Sequence, residues 1–159
     1  QTGKVAKDPI GPADIAIVRA VLEERRPDIV FVAGDLSDPH GTHRMCKEAI
    51  DAAVALLASA PAATGTAGWR RPEIWLYRGA WQEWPITEAT WLVPLAQEEL
   101  RRKIQAIFKH QSQKDSAPFP GQDDREFWQR VEQRNRDTAT TLDRLGLAEY
   151  FAMEAYVVE

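Results

Sequence analysis

The sequence predicts an α/β fold: part of a doubly wound parallel sheet flanked by helices, with the early strands of that sheet missing. Three observations lead there. Segments with helical periodicity alternate with short β-branched apolar runs, the pattern of βαβ units. Only two of those runs are convincing strands, fewer than a freestanding parallel sheet needs. The 159 residues open with Gln1 and not Met, and no targeting segment accounts for that start. The expectation is one incomplete domain over residues 1–159.

Residues 13–26 form the first helical pattern, with Ile15, Val18 and Leu22 in one stripe, Ile17 and Val21 widening it, and Pro12 in the first turn. Pro27 ends it. Ile29-Val30-Phe31-Val32-Ala33 follows as a strand expected to be buried on both faces. A polar loop from Gly34 to Gly41 leads into a helix over Thr42 to Ala60, whose apolar side carries Cys46, Ile50, Ala53, Val54 and Leu57. Residues 61–72 read as a surface connection. Ile74-Trp75-Leu76-Tyr77 is the second strand, ending at Arg78-Gly79, and a third extended segment is expected near Ala89 to Val93, before Pro94. A helix over 96–112 aligns Leu100, Ile104, Ile107 and Phe108 and places His110 inside it. Pro118, Pro120 and Gly121 make a loop, and a fourth helix runs from near Asp124 towards Leu145, with Gly146 as its stop. Ala155-Tyr156-Val157-Val158 closes the chain as a last strand.

Composition excludes several function classes. Lys plus Arg number 20 against 24 Asp plus Glu, a net charge of −4, which argues against nucleic acid or an anionic membrane as partner. No apolar run reaches the roughly 20 residues that span a bilayer. The single cysteine, Cys46, makes a reducing cytoplasmic setting the default and reads as a small core residue. An uncovered sheet edge would invite a second copy to pair, so a homo-oligomer stays open.

Ligands of open α/β sheets bind beyond the carboxyl ends of the strands. The first such end carries Asp35, Asp38, His40 and His43 in one short loop. Imidazoles and carboxylates are zinc ligands or general acids and bases, and a three-residue His spacing lets one ring bind metal while the other faces substrate. A His–x–x–His pair is a weak motif by itself, and the plain alternative is a solvated polar loop in which Asp38 caps the next helix. Arg78, at the end of the second strand, is placed to clamp a phosphate or hydroxyl, or else to pair with an acid such as Glu83. Five tryptophans fall between Trp69 and Trp91. Most read as packing, with Trp81 and Trp84 beside Arg78 as candidates for ligand contact. The charge-rich run Asp123 to Arg136 reads as the solvated face of a helix.

Asp38-Pro39-His40-Gly41-Thr42-His43-Arg44 resembles the second metal motif of the PIG-L/LmbE-type zinc deacetylases. The wider run Val32 to Arg44 is closer to the branch fused behind a glucosamine-6-phosphate deaminase-like domain in some bacterial proteins. Trp75 to Trp81, Lys109 to Asp115, Arg125 to Trp128, Leu145 to Tyr150 and Met153 to Tyr156 extend the resemblance over nearly the whole chain. It implies a Rossmann-like domain, His43 as a zinc ligand and His40 as the catalytic histidine that polarises the amide carbonyl or protonates the leaving amine; Asp38, in the same loop, and Arg78, from its place at the strand end, are the substrate-binding candidates. The implied reaction is hydrolysis of an N-acetyl group on an amino sugar or phosphosugar. The first motif of that family, A-H-P-D-D-E, has no counterpart here. The resemblance therefore covers the C-terminal portion of the domain, and this chain by itself is expected to hold zinc weakly or not at all. The alternative is a non-catalytic module that binds a phosphosugar or mediates assembly.

Overall fold

The computed structural model describes residues 8–34, 36, 41–60, 69–78, 82–111 and 125–159. Four helices and four strands follow in the order α1 (Pro12–Arg25), β1 (Ile29–Ala33), α2 (Thr42–Ser59), β2 (Glu73–Tyr77), β3 (Trp91–Leu95), α3 (Gln97–Ile107), α4 (Phe127–Arg144) and β4 (Ala152–Val158). The chain divides into two compact units, Gln1–Tyr77 with Val158–Glu159, and Arg78–Val157.

In the first unit, β1 and β2 pair in parallel, from Ile29 opposite Glu73 to Ala33 opposite Tyr77. The Gly34 N–H continues the ladder to the Tyr77 carbonyl at 2.6 Å. Ile74 and Glu159 exchange both of their backbone hydrogen bonds, at 3.3 and 2.9 Å, so the end of the chain is stitched beside β2. Helix α1 packs on α2, and Leu22, Val32, Ala49, Ala53, Val54, Leu57, Ile74 and Leu76 form the buried set of this unit. The start of α1 is fixed by Pro12 and by Asp14, whose carboxylate accepts the Gly11 N–H at 2.9 Å. Its end is fixed by Arg26, held at φ 44°, and by Pro27, which lacks an N–H to continue the helix.

In the second unit, β3 and β4 are antiparallel, with Trp91 opposite Tyr156 and Leu95 opposite Ala152. Ala139, Leu142 and Met153 form a core cluster, flanked by Ile86 and Leu92. Helices α3 and α4 each begin with the device that starts α1: Glu99 accepts the Ala96 N–H at 2.7 Å, and Gln129 accepts the Glu126 N–H at 2.8 Å. Gly146, at φ 79°, lets the chain turn after α4. The first unit thus carries a parallel strand pair and the second an antiparallel one, with four helices along the chain, an α/β fold consistent with a partial Rossmann-like fold.

Several expectations are corrected. Not every strand pair is parallel: in the second unit β4 runs antiparallel to β3. β3 runs through Pro94, which a sheet tolerates in an edge strand, where a missing N–H leaves no neighbour unpaired. β1 is not buried on both faces: Phe31 is 57% exposed and Ile29 is also exposed, since β1 is an edge strand with one covered face. Ile17 and Val21 are exposed because the seam of α1 is the narrower Ile15, Val18, Leu22 stripe. Cys46 is exposed although it lies seven residues before buried Ala53, because burial along α2 begins only at Ala49. Helix α3 stops at Ile107, and short-range bonds from Lys109 to Ala106 and from His110 to Ile107 leave His110 exposed outside it. The loop before α4 and the connection over 61–68 lie outside the described residues.

Candidate functional site

The parallel register puts the carboxyl ends of β1 and β2 side by side, Ala33 against Tyr77, and both following segments leave from that edge. Of the loop after β1, Asp35, Asp38 and His40 lie outside the described residues. His43 is described: it is half-buried in the first turn of α2. That turn is set by Gly41, whose φ of 67° is left-handed and which occupies the N-cap position where the plain alternative put Asp38. A Cβ there would meet the Arg44 guanidinium at 3.1 Å, so position 41 is restricted both by conformation and by space. The first turn of α2 itself contains no acidic residue. Among the described residues, no three His, Cys, Asp or Glu side chains are grouped so as to hold a metal ion. A catalytic zinc takes three protein ligands, and the described residues alone do not make such a centre.

Arg78 begins the second unit directly after β2. Its guanidinium carbon stands 4.2 Å from the centroid of the Trp84 ring, a cation–π contact. Its Nε is buried without a hydrogen-bond partner among the described residues. Glu83, the acid suggested for Arg78, is engaged by Arg134, whose Nε lies 3.2 Å from the carboxylate. Trp81 lies outside the described residues, but Trp84 lines a cavity of about 630 Å³ within the second unit. The segment Gln82–Thr87 forms one wall and Arg125 with the side of α4 from Arg130 to Thr141 the other. Among the described residues, Arg125, Arg130 and Arg134 line the cavity together with the carboxylates Glu83 and Asp137. Asp137 accepts a hydrogen bond from Gln133 at 2.7 Å, and Arg130 Nε donates to the Arg125 carbonyl at 3.2 Å.

The Arg134–Glu83 pair adjoins a polar network that sequence reasoning missed. Lys103 Nζ donates to Glu154 and, at 2.9 Å, to Asn135 Oδ1. Asn135 is fully buried and donates to the Met153 carbonyl at 3.0 Å, while the Tyr156 hydroxyl donates to Glu154 at 2.7 Å. Burial pushes the Glu83 carboxyl above its ordinary pKa, against the opposing pull of Arg134. Burial also lowers the Lys103 ammonium, despite the attraction of Glu154. Burial alone would raise Glu154, but the charge and hydrogen bond of Lys103, with the Tyr156 hydroxyl, outweigh it and hold the carboxyl below its usual value. Tyr156 is raised, by burial first and then by the Glu154 charge. These residues come from four separate segments, so no local motif announces them. The one available signal was polar Arg134 and Asn135 in α4, inside the run Asp123 to Arg136 that reads as a solvated face.

No helix among the described residues is long and apolar enough to cross a membrane. No family model matches the chain. The chain is similar to a protein of Bacteroides thetaiotaomicron named as glucosamine-6-phosphate deaminase-like, with 55% identity over 157 residues. That match takes in 99% of this chain and 23% of the relative, so the chain spans about a quarter of the length of the protein it resembles.

Proposed function

We propose that this chain is part of a larger amino-sugar-metabolising protein and forms within it the C-terminal portion of a zinc-dependent N-acetyl-sugar deacetylase-like domain. The observation that carries this reading is the placement of His43 in the first turn of α2, after the loop that leaves the carboxyl end of the parallel strand β1. That is where α/β sheets gather their ligands. The 55% identity to a glucosamine-6-phosphate deaminase-like protein supports the amino-sugar context.

In this reading His43 donates one imidazole nitrogen to a metal centre completed by residues outside the described ones. His40 holds and releases a proton at the amide nitrogen of the leaving amine. Asp38 and Arg78 bind the hydroxyl and phosphate groups of the sugar. Zinc, when bound, supplies an activated water and stabilises developing negative charge.

The test uses the natural polypeptide that contains this chain. Metal content is measured by mass spectrometry, and acetate release is followed with N-acetylglucosamine 6-phosphate. His43→Ala is expected to lower both zinc occupancy and turnover, and His40→Ala turnover with zinc retained. Unchanged zinc content and unchanged turnover in His43→Ala would defeat the reading. A catalytically silent parent with sugar-phosphate affinity intact would favour the binding-module alternative, for which the open Trp84 cavity speaks.

A further inference from the structure

We propose that the solvent-facing side of α1 is the seat of an amphipathic helix of the same polypeptide, contributed by sequence outside these 159 residues. The inference rests on the reading of this chain as part of a larger protein, and it needs neither the histidine loop nor a metal.

Helix α1 is apolar on two sides. Ile15 and Val18 are half-buried and Leu22 is 5% exposed, and these three make the seam turned towards the protein. At about 100° per residue, Ala13, Ala16, Ile17, Ala20 and Val21 fall on the opposite side. All five are exposed, Ile17 at 67% and Val21 at 52%. A surface helix ordinarily sets polar residues opposite its buried stripe, whereas a helix that is apolar all round is a buried one. The charged groups of α1 are matched close at hand: Asp14 accepts the Gly11 N–H, Arg19 pairs with Glu23 at 2.9 Å, and Arg25 with Glu24 at 3.3 Å. What the outer side offers a partner is therefore aliphatic surface.

Its relief suits a helix. Ala13, Ile17 and Val21 form one i, i+4 row, and Ala16 with Ala20 forms the row beside it. The branched side chains stand up as a ridge and the alanines lie low as a groove, the form into which a ridge of a second helix packs, with axes about 8 Å apart where the contact residues are small.

Area decides between occupants. The 14 residues of α1 make a helix about 21 Å long and about 10 Å across, so this side offers about 200 Å². A stable contact between separate molecules takes about 800 Å² from each, and a second copy seated on α1 falls well short of that. A covalently joined segment needs less, because its tether supplies effective concentration and spares it the entropy cost of association. Sequence for such a segment is at hand in the Bacteroides relative, which is 55% identical over 99% of this chain while the match takes in only 23% of its own length.

The experiment uses the natural polypeptide that contains this chain. The photoreactive residue p-benzoylphenylalanine is placed at position 17, and adducts formed under ultraviolet light are mapped by mass spectrometry. The expected adduct is intramolecular and joins position 17 to a segment outside the 159 residues whose apolar residues recur with helical period. An adduct between two copies, an adduct confined to residues 1–159, or no adduct at all would each overturn the proposal. Hydrogen exchange gives a second readout. Ile17→Gln with Val21→Gln is expected to speed exchange of the α1 amides about tenfold or more, because two side chains that restrain opening are lost. Arg25→Gln, on the same helix but outside the apolar side, is expected to change it by less than about twofold. An effect that small in the double glutamine variant would also overturn the proposal. The mass of the polypeptide separates the two readings. A mass no greater than that of these 159 residues defeats the larger-protein reading itself, whereas a longer polypeptide without the adduct defeats the docking of α1 alone. Loss of zinc binding or of turnover leaves the adduct result untouched.

Discussion

Replacing Lys103 by Met removes the cation from a partly buried pair and leaves the Glu154 carboxylate in place. The two side chains are only 27% and 20% exposed, so water can compensate only in part. Breaking a buried pair by deleting one partner costs about 3–5 kcal/mol, whereas replacing both partners by uncharged groups of similar size is often close to neutral. Lys103→Met is therefore expected to destabilise by about 3 kcal/mol, allowing for the hydroxyl of Tyr156 that still serves Glu154. Lys103→Met with Glu154→Gln is expected to recover about 2 kcal/mol of that loss. The pH dependence supplies a second readout. In the native protein the folded pKa of Glu154 is depressed, so its contribution is present above the ordinary glutamate value and is lost as pH falls through the acidic range. Without Lys103 burial dominates, the folded pKa rises, and the contribution of Glu154 changes sign: the variant gains stability relative to wild type as pH is lowered. Glu83 has a raised pKa and favours folding at low pH in both proteins, opposing Glu154 in the native protein and adding to it in the variant, and Arg134 and Tyr156 face the same network. Urea unfolding followed by tryptophan fluorescence from pH 4 to 7 measures all of this. A cost below about 1 kcal/mol, or a double variant no more stable than the single one, would refute the reasoning.

Three further outcomes follow from the same structure. Asn135→Ala should cost about 2–4 kcal/mol in urea unfolding, since it leaves the Met153 carbonyl without this donor and removes an acceptor from Lys103. Tyr156→Phe should cost about 1–2 kcal/mol by deleting one hydroxyl bond to a charged acceptor, and the Glu154 carboxyl should titrate higher by NMR. Gly146→Ala should cost about 1 kcal/mol in thermal unfolding from backbone strain at φ 79° alone, because nothing lies within 4 Å of the added methyl.

Elements with strong local signals were legible in the sequence. The β-branched run gave β1 its observed limits, and helical periodicity with Gly41 and Gly146 at its margins placed α2 and the end of α4 to within a residue. What depended on neighbours was not legible. Pro94 marks a boundary only if its strand is internal, and the edge position of β3 removes that constraint. Helical periodicity through His110 did not make a helix, because the last turn gave way to shorter-range bonds at Phe108. Arg78 stands at the end of a strand as read from the sequence, but the acid suggested for it, Glu83, pairs with Arg134 of α4, some 50 residues further along. The polar positions of α4 looked solvated because periodicity reports amphipathicity and not which polar groups find buried partners.

The exposed thiol on α2 has a practical consequence. Cys46 is the one cysteine of the sequence, it is open to reagents, and it sits one helical turn beyond His43. A maleimide fluorophore or nitroxide spin label would therefore attach at a unique place without mutagenesis. Its emission or relaxation would report on the turn that carries the imidazole as metal is titrated in.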